Sequence, residues 1–305
     1  MNIEQLERQL KKDIDLIGTI DSLSKLEPVV AIPFGIFSLD KLTGNNGAPK
    51  GLITEIFGRP SSGKTSLALN LITQAQKQKI KCCYIDVELA LNKELAVQSG
   101  VDPDDLIVIR PGTGEEVFEV VESMSEKGFG LIVVDSIASI SAESELESDY
   151  QDQTMGLQAR LISKAMRKII GCIARNKTAL VFINQIRAVM AKMPGQKTTT
   201  TSGGISIPFY AALRLEMSRT GWIKDENKIN GMTVKIRSEK NKLHRPQLET
   251  EVDFIFGTGF DTDSDKLNVM LEEKLIERVG NTYFFNNEKI GNKEKVIQWI
   301  RENGK

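Results

Sequence analysis

The chain has 305 residues, with 40 Lys and Arg against 41 Asp and Glu, and its apolar and charged fractions of 40% and 27% are those of an ordinary globular protein. That length suits one large domain with small appendages. A net charge of −1 excludes attraction of the whole protein to a polyanion, so any nucleic-acid site must be local, and the lone His244 excludes a histidine-rich metal centre and leaves a Ser-His-Asp triad without support.

In chain order, Ile3, Leu6, Leu10, Ile14 and Ile17 fall at helical spacing with charges between them. They predict a helix that packs one face on its own core or on a neighbouring subunit. No signal peptide opens the chain and no apolar run is long enough to cross a bilayer, so a cytoplasmic protein is expected. From about 51 to 258, short apolar runs alternate with amphipathic stretches. Strands are predicted over Ile53–Phe57, Cys82–Asp86, Leu106–Arg110, Leu131–Asp135, Ala179–Asn184, Leu213–Met217, Met232–Ile236 and Glu251–Phe256. Helices are predicted over Ser66–Gln78, Asn92–Ser99, Glu115–Lys127 and Gly156–Arg175. The early alternation argues for a mainly parallel sheet covered by helices, and the closely spaced last strands for an antiparallel end. Cys82 and Cys83 are adjacent in a strand and point to opposite faces. With Cys172 they suit reduced core thiols better than a disulfide or a zinc site. Asp261–Asp265 reads as a linker, after which Lys266–Glu277, Tyr283–Phe285 and Lys293–Asn303 suggest a small α+β appendage.

The chemistry concentrates at strand ends. Gly58, Arg59, Pro60, Ser61, Ser62, Gly63, Lys64 and Thr65 have the spacing G-x-x-x-x-G-K-[ST] of a phosphate-binding loop, set between a strand and a helix that opens with Ser66. Its glycines let the backbone curl so that N–H groups converge on an anion, and the helix dipole adds to them. Lys64 would reach the β- and γ-phosphates and Thr65 would ligate Mg²⁺. The alternative is a Gly-rich turn that matches by chance. Leu131–Asp135 is an apolar strand ending in the acid that would support the Mg²⁺. Tyr84–Glu88 ends in carboxylates, and Glu88 is either the base that activates water or a solvated strand-end acid. Val181–Gln185 ends in an amide that either contacts a γ-phosphate or caps a turn.

Arg187 to Gly204 contains Arg187, Lys192 and Lys197 but no acid, with Met190 and Met193 and a closing Thr198–Gly204 run. It is either a surface loop or a segment that takes up a phosphate backbone, Met190 wedging between bases. Ile140–Thr154 is acidic and no electrostatic DNA site by itself. Met155 and the helix after it, with Arg160, Ser163, Lys164 and Arg167, offer a better contact or simply a solvated face. Lys240 and Lys242 flank one residue, either as solvated edge charges or as a pair aimed at a phosphate of a neighbouring subunit.

Together these segments resemble the bacterial RecA recombinase family. The resemblance rests on Gly58–Thr65, Val134–Ser136, Met155–Leu157, Ala165–Lys168, Phe182–Arg187, Thr200–Gly204 and Lys240–Lys242, with Glu273–Glu277 and Gly280 resembling the family's small C-terminal domain. It implies an α/β P-loop ATPase core with a twisted, mostly parallel sheet and helices on both faces. An N-terminal helical arm over 1–35 would dock on the next subunit, the core with its DNA loops would cover 36–260, and a linker and small α+β domain 261–305. It implies a DNA-stimulated ATPase that uses ATP and Mg²⁺, forms a homo-oligomeric helical filament on single-stranded DNA, and pairs it with homologous duplex. By matching position, Lys64 and Thr65 look like the phosphate and Mg²⁺ residues, Asp135 the metal support and Glu88 the activator of water. Gln185 looks like the γ-phosphate sensor, and Lys240 and Lys242 like the cations that reach a neighbour's ATP. Met155, Arg160, Ser163, Arg167, Arg187, Met190, Gly203 and Gly204 fall at DNA-contacting places. The chain departs from the family at Asn92 and Leu95, where an acid and a Tyr near adenine are expected, at Ile205 and Pro208 after the paired glycines, at Pro194, and at a C-terminus without an acidic tail. Weaker base selectivity and a short, diverged, phage- or plasmid-borne form are expected. A hexameric helicase-like motor and a DNA-coating filament with ATP only as an assembly ligand are the competing readings; the acid-free segment after Gln185 disfavours the first, and intact Lys64, Glu88 and Gln185 the second.

Overall fold

The computed structural model describes residues 29–140, 156–188, 199–225 and 228–303, and the chain from Ala31 onward is one compact unit. A short antiparallel pair, β1 (Ala31–Ile32) and β2 (Ala48–Pro49), brackets helix α1 (Phe37–Thr43). The main run follows: β3 (Ile53–Gly58), α2 (Lys64–Lys77), β4 (Cys82–Asp86), α3 (Lys93–Gln98), β5 (Leu106–Ile109), α4 (Gly114–Glu126), β6 (Leu131–Asp135), α5 (Leu157–Asn176) and β7 (Ala179–Ala188). Then come β8 (Thr199–Thr201), α6 (Ser206–Tyr210), β9 (Leu213–Asp225), β10 (Lys228–Asn241), β11 (Glu249–Ile255) and β12 (Gly259–Phe260). The chain closes with α7 (Thr262–Glu272), β13 (Glu277–Val279), β14 (Thr282–Phe285), β15 (Glu288–Gly291) and α8 (Lys293–Asn303).

The central sheet has the order β12-β11-β10-β9-β3-β7-β6-β4-β5. From β5 to β9 the neighbours are parallel, and from β9 to β12 antiparallel, as the spacing of the runs predicts. Burial on both faces explains the near-continuous apolar runs of β4 and β6. One face packs Ile56, Cys82, Tyr84, Val133 and Ile183 against Leu67, Leu71 and Ile72 of α2. The other packs Ile53, Cys83, Ile132, Val134 and Phe182 against Val117 and Val121 of α4 and Ile162, Met166 and Ile169 of α5. Each such fully buried aliphatic side chain contributes about 1.5–3 kcal/mol of transfer free energy. The two adjacent cysteines therefore face opposite layers, free and buried, and burial pushes both thiols up to about 12.

The elements differ from expectation mainly at their ends. The stretch 261–265 is not a linker: Asp261 caps α7, its side chain accepting from Ser264 N at 3.0 Å, and α7 starts at Thr262. The acids there serve a helix N-terminus, where negative charge is favoured. Helix α7 ends at Glu272, and Glu277 opens β13. Around Leu267, Ile276, Tyr283, Val296 and Ile300, the last elements form a small cluster of their own. Strands β9 and β10 run well past the predicted segments because the two pair along most of their length as an antiparallel ribbon. The predicted helix over residues 3–17, and the acidic segment 141–154, lie outside the described residues.

Candidate nucleotide site and nucleic-acid interface

The turn from β3 into α2 is built for close backbone approach. A Cβ at Gly58 would lie 2.2 Å from the Met217 carbonyl oxygen and 2.9 Å from Ser62 Oγ. Gly63 caps α2 at φ 89, and Ser61 sits at φ 58, so the backbone coils through left-handed positions. Arg59, Pro60 and Ser61 are exposed, Thr65 and Ser66 half-buried. Helix α2 has no side-chain cap at its N-terminus. Its first-turn N–H groups have no partner within the helix, the arrangement of an anion site. Two further observations fit a phosphate here. Ser62 is 3% exposed and its Oγ has no hydrogen-bond partner. Lys64, also buried, donates only to a main-chain carbonyl, that of Arg59, at 2.9 Å. Burial lowers the ammonium's proton affinity, and Asp135 and Glu88 nearby act in the opposite sense.

The ends of β4 and β6 and Gln185 of β7 converge beside this loop. Asp135, last residue of β6, accepts from Thr65 Oγ1 at 2.8 Å and from the Tyr84 hydroxyl at 2.6 Å, both on Oδ2. Burial raises its proton affinity, and those two donors pull it back down. The Asp135 carbonyl accepts from Val87 N and Glu88 N, which brings the end of β4 to β6. Glu88 itself is exposed, and its Oε1 accepts from Ser136 Oγ and, at 2.8 Å, from Gln185 Nε2. Asp86 serves a different purpose, holding Ala90 N, Leu91 N and Arg110 Nε. The structure thus brings Lys64, Thr65, Asp135, Glu88 and Gln185 together, with a hard oxygen pair (Thr65, Asp135) suited to Mg²⁺.

Gln185 is not a strand end. Strand β7 continues to Ala188 and pairs antiparallel with β8, Ile186 opposite Thr201 and Ala188 opposite Thr199. The predicted loop from Arg187 to Gly204 therefore stands on a short two-stranded stem, and Met190 and the other residues from 189 to 198 lie outside the described residues, as does Met155. At the far side of the stem, Gly203 and Gly204 have φ 82 and 74. A Cβ on Gly203 would meet Ile162 Cδ1 at 2.8 Å, and one on Gly204 would meet Ala159 Cβ at 3.2 Å. The paired glycines thus seat the stem on α5, whose Arg160, Lys164 and Arg167 are exposed and whose Ser163 is half-buried. Arg160, Ser163 and Arg167 follow helical three- and four-residue spacing, so they share one face.

Lys240 is the last residue but one of β10 and is half-buried, while Lys242 is exposed just beyond the strand. Lys240 Nζ donates to the carbonyls of Pro208 and Phe209 in α6, at 2.7 and 2.8 Å. Burial lowers its proton affinity, and Lys242 and Arg214 add to that effect. Asn92 caps α3, accepting from Glu94 N at 2.7 Å, and Leu95 packs against the main core.

Sequence reasoning did not single out Tyr84, Ser136, Asn184, Glu55 or Arg214. For Tyr84 a signal was present: by the two-residue period of β4 it shares the face of Cys82, the face that α2 covers. For Ser136 and Asn184 it was weak, since short polar residues beside strand ends are common.

The family model described as RecA N-terminal domain matches residues 1–261. Protein RecA 2 of Myxococcus xanthus is 41% identical over 303 residues, which covers 97% of this chain and 83% of that protein. Protein RecA of Syntrophus aciditrophicus is 40% identical over 290 residues, covering 95% and 84%, and Protein RecA of Cereibacter sphaeroides 39% identical over 306, covering 99% and 88%. With a match of this extent on the phosphate loop, the metal-type acid and the sheet that carries them, the chain belongs to the RecA family.

Proposed function

We propose the residue roles by which this RecA-family chain works. It is a DNA-dependent ATPase that uses ATP and Mg²⁺, assembles as a helical filament on single-stranded DNA, and pairs that strand with homologous duplex for exchange. The backbone from Gly58 to Ser66 cradles the phosphates, and Lys64 supplies the positive charge that meets them. Thr65 and Asp135 hold the Mg²⁺, with Tyr84 orienting the acid. Bound Mg²⁺ supplies charge neutralisation at the phosphate oxygens. Glu88 orients the attacking water and takes its proton. Lys240 gives up its contacts on α6 and, with Lys242, approaches the ATP of the adjacent subunit.

The single observation that carries the mechanism is the bond from Gln185 Nε2 to Glu88 Oε1. The general base and the sensing amide hold each other, and the amide stands just before the segment from Arg187 to Gly204. When Gln185 turns its amide to a γ-phosphate oxygen, Glu88 is freed for water and the stem of the DNA segment is pulled with the side chain. Single-stranded DNA is taken by that segment, by Arg187 and Met190 within it, by Met155, and by Arg160, Ser163 and Arg167 on α5, with Gly203 and Gly204 fixing the seat. Residues 1–35 serve as the subunit-docking arm, 36–260 as the ATPase core and 261–305 as the C-terminal domain. The cytoplasm, where the DNA lies, is the proposed location. With Leu95 in the core and Asn92 spent on a helix cap, base recognition is weak, and hydrolysis rates with ATP and GTP are expected to be similar; strict ATP preference would contradict this.

The test separates binding from chemistry with a fluorescent ATP analogue and phosphate release. Glu88→Gln binds the analogue like wild type and loses hydrolysis by about 10²–10⁴-fold. Lys64→Ala loses both. Glu88→Gln with unimpaired turnover would remove Glu88 from the role.

A further inference from the structure

Among the described residues, Glu55 and Asp86 are the buried carboxylates of the sheet that the hydrolytic roles above leave unused, and Glu55 is the more deeply buried. It is fully buried in the middle of β3, the strand that leads into the phosphate loop. One carboxylate oxygen accepts from Arg214 Nε. The other accepts from Asn184 Nδ2 at 2.8 Å. In strand register, Glu55 lies opposite Arg214 of β9, and Arg214 lies opposite Lys240 of β10. Directly opposed residues on neighbouring strands point the same way, so Glu55, Arg214 and Lys240 form a charged row across three strands. The guanidinium also covers the Phe57 ring at 4.4 Å, which keeps it in place.

Asn184 extends that row to the DNA segment. Its amide is fully committed: the nitrogen bonds Glu55 and also the Ser202 carbonyl at 3.0 Å, and the oxygen accepts from Gln185 N at 2.8 Å. Gln185 stands just before the DNA segment and Ser202 near its end, and Ser202 N closes back onto the Gln185 carbonyl at 3.3 Å. One buried amide therefore clasps both stems of the segment and hangs them on Glu55. A buried ion pair is not retained for stability alone, since an apolar pair of the same volume serves a core as well or better. A saturated polar network moves as a unit, because any shift that strands one member leaves a buried donor or acceptor unpaired.

We propose that Glu55 is a positioning residue for DNA-stimulated hydrolysis, acting through Arg214 and Asn184 to keep the stems of the DNA segment in register with the Lys240 row and the phosphate loop. The proposal rests on the reading of the segment from Arg187 to Gly204 as the DNA sensor. Glu55 is fully buried with both carboxylate oxygens engaged by Asn184 and Arg214, so ATP binding does not depend on it; what depends on it is how far DNA accelerates turnover.

The experiment measures ATP hydrolysis with and without single-stranded DNA in Glu55→Gln, Arg214→Met and the double variant, together with the KM for ATP and DNA binding. In Glu55→Gln and in the double variant, the DNA-stimulated kcat falls about tenfold while the KM for ATP and DNA affinity stay within about twofold. If Glu55→Gln fails to fold because Arg214 is left unpaired, the double variant, which buries no lone charge, carries the test. Wild-type stimulation in Glu55→Gln or in the double variant overturns the proposal and makes the pair a packing feature. Wild-type protein that DNA does not stimulate at all overturns instead the assignment of the DNA sensor.

Discussion

Tyr84 and Thr65 place two donors on one oxygen of Asp135. The arrangement aims the acid and offsets the rise in proton affinity that burial gives it. Tyr84→Phe removes one donor without changing the ring, so the Mg²⁺ concentration for half-maximal hydrolysis should rise by about tenfold. An unchanged Mg²⁺ requirement would leave Tyr84 as a core residue only. Gly203 makes a second residue-scale case. Alanine there must adopt a left-handed conformation, which costs about 1–2 kcal/mol, and its Cβ must displace Ile162. Gly203→Ala should lower the urea midpoint and weaken single-stranded DNA binding together. Both roles trace to local geometry: the glycine pair and the strand-end acid stood out in the sequence, whereas Tyr84 did not, because a Tyr in an apolar strand has the same pattern whether or not its hydroxyl works.

At the scale of elements, α5 joins two jobs. Its apolar face, Ile162, Met166, Ile169 and Ile173, fills one layer of the core, and its exposed face presents Arg160, Lys164 and Arg167. Replacing Arg160 and Arg167 by Ala should make the slope of log affinity against log salt shallower by about 0.7 for each phosphate that is no longer neutralised; an unaltered slope would return those charges to the role of a solvated face. The junction of α1 with α7 makes a different claim. Asp40 accepts from Phe34 N and Gly35 N, and Asp265 accepts from Ser38 N. Burial raises both carboxyls, Asp40 from 3.8 to about 7, with Asp265 adding to its rise. Lys41 pairs with Glu273 at the rim, and Asp261 and Asp263 stand at the cap of α7 and in its first turn. Between those two pH values the folded chain holds a proton that the unfolded chain has released, so this group makes stability fall as pH rises from about 4 to about 7. Asp40→Asn should flatten the pH dependence of the urea midpoint over that window; an identical slope in both proteins would contradict the assignment.

At the scale of the molecule, the alternation of apolar runs and amphipathic stretches carried the parallel sheet, and the closely spaced late runs its antiparallel end. Period and length decide those features, and both are visible in one dimension. What stayed hidden is set by pairing. The stem formed by β7 and β8 takes residues 187–188 and 199–201 of the predicted loop into paired strands, yet these residues carry no alternation of their own. The acids over 261–265 look like a polar linker until the helix they cap is seen. The row Glu55, Arg214 and Lys240 exists only once β3, β9 and β10 stand side by side, since the three residues are far apart in sequence. The phosphate loop was legible because its motif is local. The bond between Gln185 and Glu88, on which the proposed coupling of DNA to hydrolysis rests, joins residues 97 positions apart. That coupling is tested most directly by ATP hydrolysis measured without DNA, with single-stranded DNA and with duplex, in wild type, Lys64→Ala and Glu88→Gln. Strong stimulation by single strands, absent from both variants, is the predicted result; hydrolysis indifferent to DNA would contradict the account.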